Sequence, residues 1–534
     1  MILYYALTTY HIQCCVLHKL VHRNNEKAVL MLSDIHKNSV AFLNRYKNSG
    51  IFDDVVLLPE ATINNKVRRL ERKHLPAKSI LKSVLKDIKN VLPVDMNSFE
   101  EVYLCPDHFP FGWYVIKNKI KYHCFEEGCG VLSDNSFMLS NMKRNATQYE
   151  LMNVLGYFGS NKSCVEILAD TESQVEGYSN DKMVDFSVKR ILSSLDKSNL
   201  DKVLSFFGVD NKIDGNNKSY SLILTQHMAN LGIMSLDDQH LLYSLLADYF
   251  LSGTHIIVKP HPDDIAGRYY EIFGNDATVL PFAMPSEQLP YCINNKITTA
   301  IAANSTAVKS LGDFCNRMIC FDNRILTDFR YINHYYVALK LIELIDNDKA
   351  FTTNANEIIF EEIALTENIN INIEDSFDIN NIQNGAVISD SLCEELEIEN
   401  IYNSFTSAKT SKYIIFLNEQ NKHIYFDGTN KEIFKYIRPI FITQIDRNGK
   451  QSEEVIYLYS TDKEILKKTE NISITKELKY TGVTLDIHSI SRSESEKIKM
   501  LEGVLEATEK RLNDYIENKK QLDKKIEELE KGRK

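Results

Sequence analysis

Short runs of β-branched and aromatic residues alternate with helical patterns over the first 345 residues of this 534-residue chain. Such alternation is typical of parallel β-sheets that carry helices on both faces. The predicted strands are 2–6, 28–32, 55–58, 101–104, 122–125, 219–224, 254–258, 277–280, 297–302 and 318–321. They fall into two sets, which are separated near residues 160–215. We therefore predict an α/β fold with two doubly wound, Rossmann-like domains.

The chain changes character after residue 345. Residues 351–400 contain twelve Asp and Glu residues and no Lys or Arg. Strand-like runs between 413 and 459, with Asp427-Gly428 and Asn448-Gly449 as turn signals, predict a small antiparallel module or additional strands on the second domain. The predicted organisation is an N-terminal domain (1–170), a second domain (171–345), an acidic Asn/Ile-rich segment (346–411), a β module (412–490) and a coiled-coil helix (491–534).

The C-terminal segment has the pattern of a coiled coil. Positions at alternating spacings of three and four from Ile498 to Leu529 are apolar except for Thr508 and Lys519, and Ser493 with Glu496 forms a capping box. This pattern predicts a helix that self-associates into a homo-oligomer. The alternative is a long helix that packs on its own domain.

Composition excludes several classes of protein. No apolar run reaches the roughly 18 residues of a transmembrane helix, and polar residues interrupt the N-terminal apolar stretch, unlike a signal peptide. The ten cysteines show no zinc-site spacing, which is typical of reduced thiols in a cytoplasmic protein. Neither a P-loop nor a GxGxxG pattern is present, which argues against kinases and dehydrogenases.

Residues 66–89 are strongly basic. They hold nine Lys and Arg residues against Glu71 and Asp87, and apolar residues at helical spacing predict an amphipathic helix after Pro76. A solvated helix face explains this pattern. It also fits a surface for anionic lipid or for an anionic glycan acceptor. Nucleic acid is not an expected partner, because no aromatic-rich basic motif accompanies the charges.

Polar motifs stand at the carboxyl ends of predicted strands, where ligands bind in open parallel sheets. The first motif is Glu126-Glu127-Gly128, directly after strand 122–125. Adjacent carboxylates leaving a strand point to opposite sides, so one of them can face a cleft. A cleft carboxylate with a pKa raised by burial can act as a general base toward a hydroxyl. The alternative is a solvated turn.

The second motif is Lys259-Pro260-His261-Pro262, after strand 254–258. The prolines hold His261 outside any helix, where it can donate to a phosphate oxygen, as an acid or as an electrostatic stabiliser. Lys259 adds positive charge nearby. A structural turn is the alternative.

Two further turns lead from strands into helices. Asn304-Ser305-Thr306 can cap a helix, and its hydroxyls and free N–H groups can also cradle a phosphate. The turn Thr8-Thr9-Tyr10-His11 either caps its helix or faces the same cleft.

At these residues the sequence resembles the bacterial GT-B sialyltransferases, the group of lipooligosaccharide sialyltransferases and capsule polysialyltransferases. That group has a D/E-D/E-G motif, a His-Pro motif and a Ser-Ser/Thr motif in this order. They match Glu126-Glu127-Gly128, His261-Pro262 and Ser305-Thr306. The group's Thr-Pro-Tyr-His turn corresponds to Thr8-Thr9-Tyr10-His11, which lacks the proline. The resemblance covers about residues 1–345.

The resemblance implies a GT-B fold and an inverting transfer of sialic acid from CMP-sialic acid to a hydroxyl of a cell-surface glycan, without a metal or other cofactor. It implies that Glu126 or Glu127 is the base and that His261 is the third catalytic residue. Of the two glutamates we favour Glu126 as the base, with Glu127 in support. The expected donor-binding residues are Thr9, Tyr10, His11, Gly128, Lys259, Pro262, Asn304, Ser305 and Thr306. The expected location is the cytoplasmic face of the plasma membrane.

Two alternatives remain open. Transferases with CMP-Kdo or CDP-polyol donors also place a His-Pro turn around a nucleotide phosphate. A non-enzymatic, nucleotide-binding scaffold assembled by the coiled coil is the other alternative. It predicts binding of CMP without turnover.

Overall fold

The structure is a computed structural model. It describes residues 1–126, 146–173, 180–209, 213, 219–251, 253–280, 284–303, 308, 311–312, 314–345, 349–352, 357–374, 384–389, 411–416, 437–489, 513, 516, 517, 519, 520 and 524. The chain forms two compact units. The first comprises Met1–Leu231 with Thr254–Cys320, and the second comprises Gly232–Gly253 with Phe321–Lys534.

A seven-stranded parallel sheet begins the first unit. Its strands are β1 (Ile2–Ala6), β2 (Ala28–Ser33), β3 (Asp54–Leu58), β4 (Glu101–Cys105), β5 (Tyr122–Phe125), β6 (Cys164–Ala169) and β7 (Met183–Asp185). Their order is β3-β2-β1-β4-β5-β6-β7, so the direction of winding reverses between β1 and β4. Every residue of β1 and β2 is buried, as expected for a parallel sheet covered on both faces.

Helices cover both faces of this sheet. They are α1 (Thr9–His22), α2 (Lys37–Ala41), α3 (Leu43–Asn48), α4 (Ala61–Arg72), α5 (Ala77–Val91), α6 (Pro110–Lys117), α7 (Ala146–Leu155), α8 (Val188–Ser194) and α9 (Lys197–Phe206). Side chains of β1 alternate between two cores. Leu3 and Tyr5 pack with residues of α5, α6 and α7, whereas Tyr4 packs with residues of α1, α8 and α9. The sheet is therefore doubly wound, as predicted.

A second parallel sheet of five strands completes the first unit. It contains β8 (Tyr220–Leu224), β9 (His255–Lys259), β10 (Ala277–Val279), β11 (Ile297–Ala302) and β12 (Cys315–Cys320), with α11 (Gly267–Phe273) and α12 (Leu289–Cys292). The order is β10-β9-β8-β11-β12, so winding reverses between β8 and β11. All ten strands predicted before residue 345 are present, and the two Rossmann-like sheets that a GT-B fold requires are confirmed.

The second unit is built around an eight-stranded mixed sheet. Its helices are α10 (Leu236–Phe250), α13 (Ile325–Asp328), α14 (Ile332–Ile345), α15 (Glu357–Thr366) and α16 (Lys463–Lys468), and its strands are β13 (Lys349–Thr352), β14 (Asn372–Glu374), β15 (Asn384–Ser389), β16 (Ser411–Phe416), β17 (Ile437–Asp446), β18 (Gln451–Tyr459), β19 (Ser473–Leu478) and β20 (Val483–His488). The order is β14-β13-β15-β16-β18-β17-β20-β19. Asp248 of α10 fixes the turn after β19 by accepting from the backbone N–H groups of Tyr480 at 2.7 Å and Thr481 at 2.9 Å.

The strands within the predicted β module at 412–490 pair antiparallel, and the sheet extends beyond them. Four of its strands, β13 to β16, pair in parallel, and three of those lie in the segment predicted as acidic and Asn/Ile-rich. The antiparallel pairings begin at β16 and β18. Strands of three and four residues such as β14 and β13 carry too little periodicity to be recognised in an acidic, Asn-rich sequence.

The first sheet also extends beyond the predicted boundary at residue 170, because β7 pairs with β6 and residues of α8 and α9 enter its core. The other predicted boundaries stay predictions. Most of the predicted coiled coil lies outside the described residues, although those described between 513 and 524 are helical. Among the described helices, none combines the length and the apolar character needed to cross a bilayer.

Candidate active site

The turn after β1, at the winding reversal of the first sheet, starts α1 with a capping box. The Thr8 hydroxyl oxygen accepts from the backbone N–H of His11 at 3.3 Å, and Nδ1 of His11 accepts from the Thr8 N–H at 3.2 Å. Burial lowers the pKa of His11 to about 3, so its imidazole is neutral. His11 therefore completes the helix cap, and the neighbouring Thr9 is also buried.

Glu126 follows β5 and is held at both carboxylate oxygens. The Tyr10 hydroxyl donates to Oε1 at 2.7 Å, and the backbone N–H of Asp170 donates to Oε2 at 3.1 Å. Glu126 is only 7% exposed, and this burial raises its pKa, while the two hydrogen bonds oppose the rise. The negative charges of Asp170 and Glu287 raise the pKa further. The result is an oriented carboxylate with the raised pKa that suits a general base.

Lys259 is the last residue of β9 and is almost completely buried. Its Nζ donates to the carbonyl oxygen of Pro260 at 3.1 Å. Burial lowers the pKa of Lys259 to about 8, and the charge of Glu287 opposes this change. Burial raises the pKa of Glu287, and Lys259 in turn lowers it. The charge of Glu287 therefore affects the pKa of Lys259 at the second sheet and the pKa of Glu126 at the first.

His261 lies in the turn after β9, and its backbone is fixed on both sides. Its N–H donates to the Thr225 hydroxyl oxygen at 3.2 Å, and its carbonyl oxygen accepts from the N–H of Asp264 at 2.9 Å. The Thr225 hydroxyl donates to the Asp264 carboxylate at 2.6 Å. Burial lowers the pKa of His261 to about 4, so the imidazole is neutral near pH 7. Pro262 continues the same turn.

A buried amide pair joins elements of the two sheets beside these groups. Nε2 of Gln288, next to Glu287, donates to Oε1 of Gln13 on α1 at 3.2 Å. This contact joins α1, which follows β1, to the 3₁₀ turn that contains Glu287. A hydrogen bond thus joins Tyr10 to Glu126 at the first sheet, and His261 follows Lys259 by two residues at the second. The catalytic and binding roles of these residues stay predictions.

Five predicted site residues lie outside the described residues, and their roles stay predictions: Glu127, Gly128, Asn304, Ser305 and Thr306. Three residues of the site were missed. Asp170 follows β6, a strand that the sequence did not reveal. His227, whose ring stacks on that of His261, comes three residues after β8, so the strand-end rule could have found it. Glu287 sits in a single 3₁₀ turn after Pro285 and carries no such signal.

No protein-family model and no curated protein matches the sequence. Solved structures similar to this chain include UGT89C1 of Arabidopsis thaliana in complex with UDP, with 12% identity over 62% of this chain and 84% of that one, at a TM-score of 0.35. Another is the UDP-GlcNAc 2-epimerase of Methanocaldococcus jannaschii in complex with UDP-GlcNAc and UDP. It has 12% identity over 62% of this chain and 92% of its own, at a TM-score of 0.34.

A putative UDP-N-acetylglucosamine 2-epimerase of Listeria monocytogenes has 10% identity over 68% of this chain and 90% of its own, at a TM-score of 0.34. Because these TM-scores are low, the similarities carry no argument about the fold. The architecture of the first unit is established by its own two parallel sheets and their strand order. The described part of the chain thus has two Rossmann-like sheets, with Glu126 after a strand of the first and Lys259 and His261 at the end of a strand of the second.

Proposed function

We propose that the protein is an inverting, metal-independent sialyltransferase that moves sialic acid from CMP-sialic acid to a hydroxyl of a bacterial cell-surface glycan. The observation that supports this proposal is a buried, hydrogen-bonded Glu126 at the carboxyl end of β5, together with Lys259 and His261 at the carboxyl end of β9. A carboxylate base and a separate set of phosphate-binding donors are the two parts that such a transfer needs.

Glu126 is proposed to remove the proton from the acceptor hydroxyl. The Tyr10 hydroxyl and the Asp170 N–H hold both of its oxygens, so the carboxylate keeps one orientation while each oxygen retains a lone pair. Its raised pKa brings it closer to that of a base that works near pH 7. Glu127 and Gly128 are proposed to support this loop.

The second edge is proposed to bind the nucleotide. His261 offers a neutral imidazole, and Lys259 offers positive charge that Glu287 balances. Asn304, Ser305 and Thr306 are proposed to add donors to the leaving phosphate. Glu287 is a carboxylate that can accept hydrogen bonds from sugar hydroxyls.

A donor screen tests this function. The protein is incubated with CMP-sialic acid, CMP-Kdo or a CDP-polyol and a panel of glycans in EDTA, and nucleotide release is measured. Release of CMP from CMP-sialic acid supports the proposal. Release from another donor only would replace the proposed substrate, and CMP binding without any release would favour the scaffold alternative.

We also propose that the basic region contacts the anionic inner face of the plasma membrane. Residues 66–89 form the end of α4 and most of α5, and the apolar stripe of α5 is buried, which confirms the amphipathic helix after Pro76. The exposed cations are Arg68, Arg69, Arg72, Lys73, Lys78, Lys82, Lys86 and Lys89, whereas Lys66 pairs with Asp87 at 2.5 Å. A groove of about 720 Å³ lies between the two helices, and Lys66, Arg69 and Lys73 line it.

Sedimentation with phosphatidylglycerol vesicles at low salt tests the membrane contact. We expect the wild type to bind and the substitution of Lys78, Lys82 and Lys86 by Gln to weaken binding, since each cation near an anionic surface contributes about 1 kcal/mol. A matched variant neutralises Lys450, Lys463 and Lys467 and should bind like the wild type. Equal binding by all three proteins would contradict the proposed surface.

The C-terminal residues 491–534 are proposed to assemble a homo-oligomer, on the strength of their apolar repeat. Light scattering of the full chain and of a 1–490 truncation tests this. Two monomers would contradict it.

A further inference from the structure

A second histidine lies against His261. His227 follows β8, at the winding reversal of the second sheet, and its ring stacks on the His261 ring with centroids 3.9 Å apart and planes 23° from parallel. Nδ1 of His227 is buried and has no hydrogen-bond partner among the described residues. The ring of His227 is therefore placed by its contact with His261 and not by a hydrogen bond at that nitrogen.

The hydrogen bonds of the His261 turn assign the position of its ring proton. The backbone N–H of Asp263 donates to Nδ1 of His261 at 3.2 Å. An imidazole nitrogen that accepts a hydrogen bond carries no proton, so the proton of the neutral ring lies on Nε2. His261 therefore has an N–H donor to offer to a ligand.

Burial and four neighbouring titratable groups affect the pKa of His261. Burial is the main reason for its lowered pKa, and the ring of His227 is the next, followed by the smaller effect of Lys259. The carboxylates of Asp263 and Asp264 act in the opposite direction. The Asp264 carboxylate is engaged by the hydroxyls of Thr225 and Tyr269, both at 2.6 Å.

We propose that His227 is a positioning residue that covers one face of His261 and keeps it a neutral hydrogen-bond donor through Nε2–H. The hydrogen bond from His261 to a phosphate rests on the proposed function. In that reaction the bond from the anomeric carbon to the phosphate oxygen breaks, and its electron pair stays on CMP. The acceptor oxygen forms the new bond and loses its proton to Glu126. His261 donates a hydrogen bond to the leaving phosphate and transfers no proton.

The same residues do not have the geometry of a chelating site. One ligand atom from each of His227, His261 and Asp263 lies within 4.8 Å of the others. However, the lone pair of an imidazole nitrogen lies in the ring plane, and two stacked rings direct these lone pairs along nearly parallel planes. They do not converge on one ion, whereas a stacked pair suits the positioning role.

Histidine NMR of the full chain tests the proposal independently of activity. The protein is labelled with ¹⁵N in its histidine rings, and His261 is assigned from a His261→Ala variant. We expect a neutral ring with its proton on Nε2 from pH 8 to 5.5. In His227→Ala we expect the titration of His261 to move to higher pH, and in His227→Phe, which retains a stacked ring, to move less.

His74→Ala, which removes an exposed histidine in the α4–α5 loop, should leave the His261 signals unchanged. A proton on Nδ1 in the wild type would overturn the proposal, as would the same His261 titration with and without His227. The CD spectrum of each variant checks that it has folded.

CMP binding gives a second readout. We expect the CMP affinity of His227→Ala, divided by that of the wild type at the same pH, to rise as the pH falls from 8 to 5.5, because only the variant gains an imidazolium. A constant ratio would overturn the link to phosphate binding. If the wild type does not bind CMP at all, the proposed function is wrong, while the NMR titration still decides the role of His227.

Discussion

At the carboxyl edge of the first sheet, Glu126 accepts hydrogen bonds at both oxygens. At the edge of the second sheet, His261 accepts one at Nδ1 and keeps a proton on Nε2. Burial favours the neutral form of both side chains, so it raises the pKa of the Glu126 carboxyl and lowers the pKa of the His261 imidazole. The comparison teaches that one physical effect prepares opposite functions: a proton acceptor on one sheet and a hydrogen-bond donor on the other.

Replacing Glu126, at the edge of the first sheet, is expected to have the largest effect. Glu126→Gln keeps the shape of the side chain but removes the base, so we expect kcat to fall by about 10²- to 10⁴-fold. CMP affinity should change less than about threefold, because the nucleotide contacts are proposed on the other edge. CMP release and calorimetry measure the two quantities. Glu100→Gln, at a side chain that is 89% exposed, is the control. Equal loss of binding and turnover would contradict the separation of roles.

Replacing His261, at the edge of the second sheet, should instead weaken CMP binding. His261→Ala removes a hydrogen bond to a charged phosphate, so we expect CMP to bind about 10- to 100-fold more weakly. Calorimetry with CMP measures this loss, and His74→Ala serves as the control at an exposed position. Unchanged CMP affinity would remove His261 from the nucleotide site.

Tyr10→Phe sharpens the comparison, because it alters the setting of the base and leaves the base itself in place. We expect about a tenfold lower kcat, from the loss of one orienting hydrogen bond. The Tyr10 hydrogen bond lowers the pKa of Glu126, so its removal raises that pKa. A base works above its pKa, and the acidic limb of the pH profile should therefore move to higher pH. A limb that stays in place would show that Tyr10 does not act through Glu126.

The smallest expected effect concerns the stability of the fold and not the reaction. Thr8→Ala removes the hydroxyl that caps α1 and should lower the free energy of unfolding by about 1 kcal/mol. The single tryptophan, Trp113, is buried in α6, so its fluorescence during urea unfolding reports on the first sheet. Thr62→Ala, at an exposed helical position, should cost less. Equal stability of the two variants would contradict the capping role.

The strand alternation and the strand-end rule were sufficient to predict the two Rossmann-like sheets and the positions of Glu126, Lys259 and His261. The partners of these residues could not be predicted. Tyr10 and Glu126 are 116 positions apart, and only tertiary packing brings them to 2.7 Å. Asp170 depended on β6, which was not predicted.

Glu287 shows a second kind of limit. It lies in one 3₁₀ turn, and only the folded chain brings its charge near enough to affect the pKa values of Lys259 and Glu126. The second unit shows a third, because β13 and β14 are too short for a periodic signal and their pairing is set by neighbouring strands. Short strands and long-range polar contacts are decided by tertiary structure.

The base is proposed to lie at the edge of the first sheet, and the nucleotide-binding residues at the edge of the second. The most direct test of this account is CMP release from CMP-sialic acid in the presence of EDTA, with galactosides and sialosides as acceptors. The account predicts release by the wild type, loss of turnover with retained CMP binding in Glu126→Gln, and weakened CMP binding in His261→Ala. A wild-type protein that neither binds CMP nor releases it from CMP-sialic acid would contradict the account.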